Sequence, residues 1–189
     1  MTWKFDKAIS QTYHSHVLKH IPLYEETIDW SLKWADQNLK KDEPILDFGC
    51  ATGITLRRFR EIGFTNLWGV DTSEDMYKNY QDSIINYSTC LPDKHFSLIL
   101  ANWVLHFNQN KWKILNELLK VSDHLIVSEK TTLCNSFQYH KWKKEQGLSE
   151  KEIIEKERSL KGVMFLDSPY EYPGKVIHNK LGFYTWITK

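Results

Sequence analysis

The residues best suited to chemistry in this chain lie in the run Asp47-Phe48-Gly49-Cys50-Ala51-Thr52-Gly53 and, roughly twenty residues further on, at Asp71. Gly49 and Gly53 would let the backbone approach a ligand closely, and the amide groups opening the helix that follows can donate to a ligand carboxylate. The spacing departs from G-x-G-x-x-G, because position 51 is alanine. A pyrophosphate cradle is therefore disfavoured. Asp71 closes the next strand, where an acidic side chain can accept from both hydroxyls of a ribose. The two features in this order imply a nucleoside ligand that carries a carboxylate.

Other reactive side chains are weighed against plainer roles. Glu129 ends a later strand, which would bring it to the ligand edge of the sheet, and it is the carboxylate to test first; pairing with Lys130 is the structural alternative. Cys50 next to Gly49 would need a base to act as a nucleophile, none is identifiable beside it, and a small buried thiol is the commoner reading. His106 and His140 are possible bases, but a histidine in a pocket or on the surface is more usual. Cys50, Cys90 and Cys134 form no C-x-x-C pair, so neither a zinc site nor a disulfide framework is expected, and no metal is predicted.

The elements that would position these residues follow from hydrophobic period. Helical spacing runs from Phe5 to His20 and from Leu23 to Leu39, with Pro22 between. A short apolar strand, Pro44 to Phe48, leads into the glycine loop, and a helix from Ile54 to Ile62 closes on Gly63. Leu67 to Val70 forms the second strand, followed by Thr72-Ser73-Glu74-Asp75 as a hydroxyl N-cap with acidic first turn. Ser83 to Cys90 holds a weak third strand. Phe96 to Ala101 and His124 to Ser128 are stronger ones, separated by a helix from Gln109 to Leu119. This alternation indicates a mostly parallel α/β sheet with right-handed crossovers. Beyond Glu129, Phe137 to Gln146 and Glu150 to Lys161 read as charged helices, the second opened by a Ser149-x-x-Glu152 capping box. Pro169 to Lys180 reads as a short helix or turn, and Phe183 to Ile187 as a last strand.

The 189 residues suit one domain, with N-terminal helices over 1–40 and a helical insertion near the ligand over 136–165. A formal charge of +1 argues against a surface built to neutralise phosphates. The run Lys141-Trp142-Lys143-Lys144 is basic, yet such a run on a helix is more often a solvated face, so nucleic acid is not expected as a direct partner. With no apolar segment near the ~18 residues of a membrane span and an acidic residue early in the chain, a soluble, unprocessed, cytoplasmic protein is expected.

The glycine loop with Asp71 resembles the class I S-adenosylmethionine (SAM) dependent methyltransferases. A narrower resemblance covers nearly the whole chain. Trp3-x-Phe5-Asp6, Pro22-x-Tyr24, Asp47-Phe48-Gly49-Cys50, Asp71-x-Ser73-x-x-Met76, Asn102 with Leu105 and Phe107, Ser128-Glu129-Lys130, Gly147 before Ser149-Glu150, Arg158-Ser159-Leu160, Val163-Met164 and Asp167-Ser168 are similar to blocks of the carboxy-SAM synthases, which serve tRNA wobble-uridine modification. The resemblance implies a Rossmann-like class I methyltransferase fold and conversion of SAM and prephenate to carboxy-SAM and phenylpyruvate. SAM or carboxy-SAM would be the bound nucleoside, with no metal. By position, Tyr24 would contact the nucleoside or sulfonium region, Asp47, Gly49, Cys50, Ala51 and Gly53 the methionine end, Asp71 with Thr72 the ribose, Tyr87 and Ser88 the adenine side, and Asn102 the ligand at the fourth strand. Arg158 would hold the added carboxylate, a role suited to a guanidinium with paired donors and a permanent charge.

Three departures from the family stand out. Asn86-Tyr87-Ser88-Thr89 occupies the stretch where the family has an acidic residue near adenine, and Lys161-Gly162 replaces an acidic-amide pair. The chain ends at Lys189, soon after Gly182-Phe183, which leaves room for one strand where the family has two. A sheet missing part of its C-terminal hairpin is therefore expected, its edge covered by the N-terminal helices or by a second copy in a homodimer. Conventional methyl transfer to a small molecule or RNA, and a non-catalytic SAM-binding partner subunit, are the competing readings.

Overall fold

The computed structural model describes residues 5–166, 168 and 171–188. Trp3 and Asp167 of the quoted blocks lie outside the described residues, as do Pro169 and Tyr170. Seven strands form one sheet in the order β3-β2-β1-β4-β5-β7-β6. They are β1 (Ile45–Phe48), β2 (Leu67–Val70), β3 (Ile85–Ser88), β4 (Phe96–Asn102), β5 (Ser122–Lys130), β6 (Lys175–Lys180) and β7 (Phe183–Thr188). The first five are parallel, β7 runs antiparallel to β5, and β6 pairs antiparallel with β7.

Because both faces of this sheet are covered, its inner strands are apolar at successive positions. Ile45, Leu98, Leu100 and Ile126 face one core with helices α1 (Lys7–His20), α2 (Tyr24–Asn38), α3 (Ile54–Glu61) and α6 (Ser136–Glu145). Leu46, Ile99, Ala101, Leu125 and Val127 face the other, against α5 (Lys111–Lys120) and Trp186. Short α4 (Glu74–Tyr77) follows β2, and α7 (Glu150–Ser159) follows α6 with the expected capping box between Ser149 and Glu152 formed in both directions.

The expected loss of the C-terminal hairpin is corrected by the structure, which has both of its strands. Lys175–Lys180, read from the sequence as helix or turn, is β6. Its residues Lys-Val-Ile-His-Asn-Lys alternate weakly because it is an edge strand with no fully buried position. The turn that joins it to β7 is also compact: Leu181 and Gly182 both take positive φ, 53° and 80°, as a two-residue hairpin of the right twist requires. With both hairpin strands present, β7 is paired on both sides and needs no second copy to cover it. His178 of β6 bonds through Nε2 to the hydroxyls of Thr27, at 3.1 Å, and Thr185, at 3.2 Å, tying the hairpin to α2.

The N-terminal helix is what closes the carboxyl edge of the sheet. Asp6 caps it by accepting from the amides of Ala8 and Ile9. The Ser73 hydroxyl, expected to cap α4, instead donates to the Phe5 carbonyl at 2.7 Å. The Tyr80 hydroxyl donates to the Ser10 carbonyl at 3.0 Å and that of Tyr139 to the His20 carbonyl at 2.5 Å, so both ends of α1 are fastened across the strand ends.

Candidate functional site

The carboxyl ends of β1, β2 and β4 meet beneath α1, and the glycine loop lies between them. The amides of Gly49 and Cys50 both donate to the Val70 carbonyl, at 2.7 and 3.0 Å, which folds the loop back over β2. Asp71 completes the fold of the loop. Its Oδ2 accepts from the Ala51 amide and its Oδ1 from the Ser73 amide, each at 2.9 Å. Each oxygen keeps a further lone pair, so this carboxylate can hold the loop and still receive two hydroxyls from a ligand.

Ala51 has φ of 45° and Gly53, the N-cap of α3, φ of 71°. A Cβ on Gly49, whose φ is 83°, would stand 2.5 Å from Val104 Cγ2. Replacing Gly49 with alanine is thus expected to lower stability by about 1–3 kcal/mol through strain and overpacking. A shift of the urea midpoint at constant slope would check it.

Two compartments that share Gly49, Ala51 and Asn102 flank this loop. The outer one is lined by Phe5, Gly49, Ala51, Asp71, Thr72 and Asn102, and the inner by Tyr24, Asp47, Gly49, Cys50, Thr52 and Asn102. Three buried polar atoms on their walls, both amide atoms of Asn102 and the Thr52 hydroxyl, have no hydrogen-bond partner. Each such atom costs about 1–3 kcal/mol until something satisfies it. A polar ligand seated here would do so, and the donors and acceptors present fit an amino-acid nucleoside.

The electrostatics of the inner compartment are those of buried acids. Burial, with Asp71 nearby, pushes the Asp47 carboxyl up to about 7. No described residue donates a hydrogen bond to it. Burial also lifts Asp71 above the usual carboxylate range, although its two backbone bonds pull the other way. The Cys50 thiol is pushed up by burial and then by Asp47 and Asp71, which leaves it a neutral packing group and not a nucleophile.

Of the residues expected from the sequence, Tyr24, Asp47, Gly49, Cys50, Ala51, Asp71, Thr72 and Asn102 line these compartments. Gly53 faces the Tyr87 hydroxyl, and Tyr87 stacks on Tyr77 with ring centres 4.9 Å apart. Ser88 does not line them: its hydroxyl exchanges bonds with Cys90, and its carbonyl accepts from the Asp71 amide. Its contribution is to set the height of Asp71.

Glu129 and Arg158 stand elsewhere. Glu129 is 1% exposed, and its Oε1 accepts from the amides of Leu105, at 2.7 Å, and His106, at 3.3 Å, while Oε2 pairs with His106 Nδ1. The carboxylate is spent on the 3-10 turn Leu105–Phe107 and lines no cavity over the strands. Arg158 is exposed on the outer side of α7, in a groove shared with Asp6, Thr12, Glu152 and Lys156. Helical period explains it: Ile153 marks the buried face of α7 and Lys156, one turn on, lies beside it, whereas Arg158 falls on the opposite side of the helix.

Two lining residues were not singled out from the sequence. Tyr13 of α1 and Trp103 after β4 border both compartments and the cavity beyond them. Burial, with Asp47 and Asp71, raises the Tyr13 phenol above its usual range. Trp103 is held at φ of 60°, an uncommon conformation for a bulky residue. Nothing in spacing marks Tyr13 beyond an ordinary helical position; an aromatic directly after Asn102 at a strand end was the available signal for Trp103.

Among the described residues no group of three His, Cys, Asp or Glu side chains is placed to hold a metal. No described helix is long and apolar enough to cross a membrane. In the basic run on α6, Lys143 is buried, Trp142 stacks on Tyr139, and Lys144 pairs with Glu150 at 2.5 Å, so the run is not an open cationic face.

A seven-stranded sheet of this order, with a glycine loop after the first strand and an acid closing the second, defines a SAM-dependent transferase of class I. Residues 23–150 match the family model described as "Methyltransferase domain", and the chain belongs to that family. Within it, the chain is similar to the carboxy-S-adenosyl-L-methionine synthase of Actinobacillus pleuropneumoniae, 24% identical over a match that covers 87% of this chain and 79% of that protein. It is similar to the synthase of Erwinia tasmaniensis at 24% identity over 88% of this chain and 78% of that one. The magnesium protoporphyrin IX methyltransferase of Synechocystis, solved with bound SAH, shares the fold with a TM-score of 0.58 at 18% identity over 87% of this chain and 80% of that chain.

Proposed function

We propose that this chain binds SAM at the loop Asp47–Gly53 and uses it in carboxy-SAM synthesis, with prephenate as carboxyl donor and phenylpyruvate and water as released products. The observation that carries SAM binding is the set of buried polar atoms without partners on Asn102 and Thr52 beside a glycine loop held by Asp71. Asp71 would take the ribose hydroxyls, the α3 amides and Thr52 the methionine carboxylate, and Asp47 the cationic amino group. SAM supplies an acidic methyl beside the sulfonium; the chain's own part is to orient it toward Trp103 and keep water out beneath α1. Support for the carboxylating reaction is the similarity to two named synthases over most of the chain. Incubation with SAM and prephenate followed by mass spectrometry tests it: carboxy-SAM with phenylpyruvate supports the reading, and S-adenosylhomocysteine formed on addition of a methyl acceptor would replace it with methyl transfer. The position of Arg158 outside the compartments is the observation that favours this second reading.

SAM binding should depend on pH through Asp47. With its carboxyl near 7 in the free protein, Asp47 must lose a proton to pair with a cationic ligand. Affinity is expected to be weaker at pH 6 than at pH 8, by up to about tenfold per unit below that value, and calorimetry of Asp47→Asn should show a flat profile. For the free protein the sign is opposite: a carboxyl raised in the fold makes folding less favourable as pH rises from its unfolded value through about 7.

A further inference from the structure

A third cavity, about 90 Å³ in volume and several-fold roomier than one water requires, shares Phe5, Tyr13, Trp103 and Phe107 with the outer nucleoside compartment. Lys130 at the end of β5, Lys143 on α6 and Lys156 on α7 also line it. Three histidines border the same space, His16, His20 and His106, and their surroundings differ. Burial, with Lys143 and Lys156 nearby, lowers His16 to about 4 and His20 to about 2, which makes both poor proton acceptors. His140 pairs with Glu157 and is not part of the wall.

His106 is the one of the three that is held by an acid. Its side chain is 10% exposed, and its Nδ1 pairs with Oε2 of Glu129. The amides of Leu105 and His106 both donate to the other oxygen of Glu129, which leaves Oε2 to accept from Nδ1–H. A neutral imidazole that donates from Nδ1 keeps its lone pair on Nε2. No described residue bonds to that nitrogen. The ring is also fixed in place, with the rings of Phe107 and Phe165 at 4.2 and 5.5 Å between centres and the His106 carbonyl accepting from the Met164 amide at 3.1 Å. A carboxylate that sets the tautomer, a ring that cannot swing away and a bare nitrogen in a cavity wall are the parts of a general base.

We propose that His106, held through Nδ1 by Glu129, is the proton-transfer group of this site and works through Nε2 on what the cavity holds. Its part in turnover rests on the carboxylating reading, in which the S-methyl group of SAM exchanges one hydrogen for a carboxyl group. The C–H bond breaks, and its electron pair forms the new bond to the carboxyl carbon. Prephenate releases that carbon and its ring hydroxyl as it becomes phenylpyruvate. Nε2 takes the proton from the methyl and gives it to the departing hydroxyl, which leaves as water, so His106 ends neutral as it began. Glu129 acts only through the ring and is a positioning residue.

Nitrogen-15 NMR of the histidine rings in the full chain tests the geometry without any turnover. The neutral His106 ring is expected to be protonated on Nδ1 and bare on Nε2, and Glu129→Gln, whose amide can donate to Nδ1, should move the proton to Nε2. His106→Asn keeps a donor for Glu129 and deletes the nitrogen in the cavity wall. SAM affinity by calorimetry should stay within threefold of wild type, while the single-turnover rate with SAM and prephenate falls about a hundredfold to ten-thousandfold. The proposal is overturned if the wild-type ring carries its proton on Nε2, or if His106→Asn turns over within threefold of wild type. Should His106→Asn melt early, the tautomer in the wild-type chain decides. A wild-type protein that makes no carboxy-SAM yet shows the Nδ1–H ring would sink the carboxylating reading and leave the assigned group standing; carboxy-SAM made by a protein with the Nε2–H ring would do the reverse.

Discussion

Asp71→Ala is expected to weaken SAM binding by about a hundredfold to ten-thousandfold, the loss of two charge-assisted hydrogen bonds at roughly 1.5–3 kcal/mol each. Two effects converge on this residue. Its oxygens are the acceptors offered to a ribose, and the same oxygens receive the Ala51 and Ser73 amides, which keeps the loop in register with β2. Without the carboxylate, the Ala51 amide loses the partner that holds a strained φ of 45°. Asp71→Asn separates the effects, because an amide can still accept from one backbone group while presenting a donor where the second acceptor stood. Calorimetry with SAM and a urea melt of each variant are the measurements. A folded Asp71→Ala protein that binds SAM within threefold of wild type would remove the nucleoside site from this edge of the sheet.

The parts of this site that the sequence made legible are those governed by local rules. Gly49 and Gly53 take positive φ, which glycine tolerates best, and Asp71 follows an apolar run that has to be a strand. Such residues are constrained by their neighbours in the chain, so spacing alone reports them. The N-terminal helices, the parallel order of the first five strands and the capping box at Ser149 were legible for the same reason. What stayed hidden depends on side chains that meet across long separations. Tyr13 becomes a lining residue because Ser73 and Tyr80 anchor α1 over the strand ends. The lysines 130, 143 and 156 look like members of charged runs, and it is the fold that brings the end of β5, α6 and α7 around one cavity. β6 was missed because an edge strand shows little alternation, and its pairing is decided by β7 more than by its own residues.

Glu129 illustrates the limit most sharply, and its replacement carries the second large effect. Position at the end of a strand suggested a reacting carboxylate, yet the side chain turns under β4 and binds the amides of Leu105 and His106 and the ring of His106. Glu129→Leu fits the volume but strands three donors in a site 1% exposed. Breaking a buried, hydrogen-bonded charged group in this way costs about 3–5 kcal/mol, so the urea midpoint should fall far more than for any surface change. Glu129→Gln keeps one acceptor for the backbone amides and should recover part of that loss. Because His106 and Phe107 border the cavity that holds the lysines, loosening their turn would also disturb ligand affinity, in proportion to the stability lost. A reacting carboxylate predicts the opposite pattern, in which Glu129→Gln melts like wild type, binds SAM normally and fails to turn over. Melting curves and single-turnover rates measured on the same two variants distinguish a residue that positions the β4 turn from one that touches the reacting atoms.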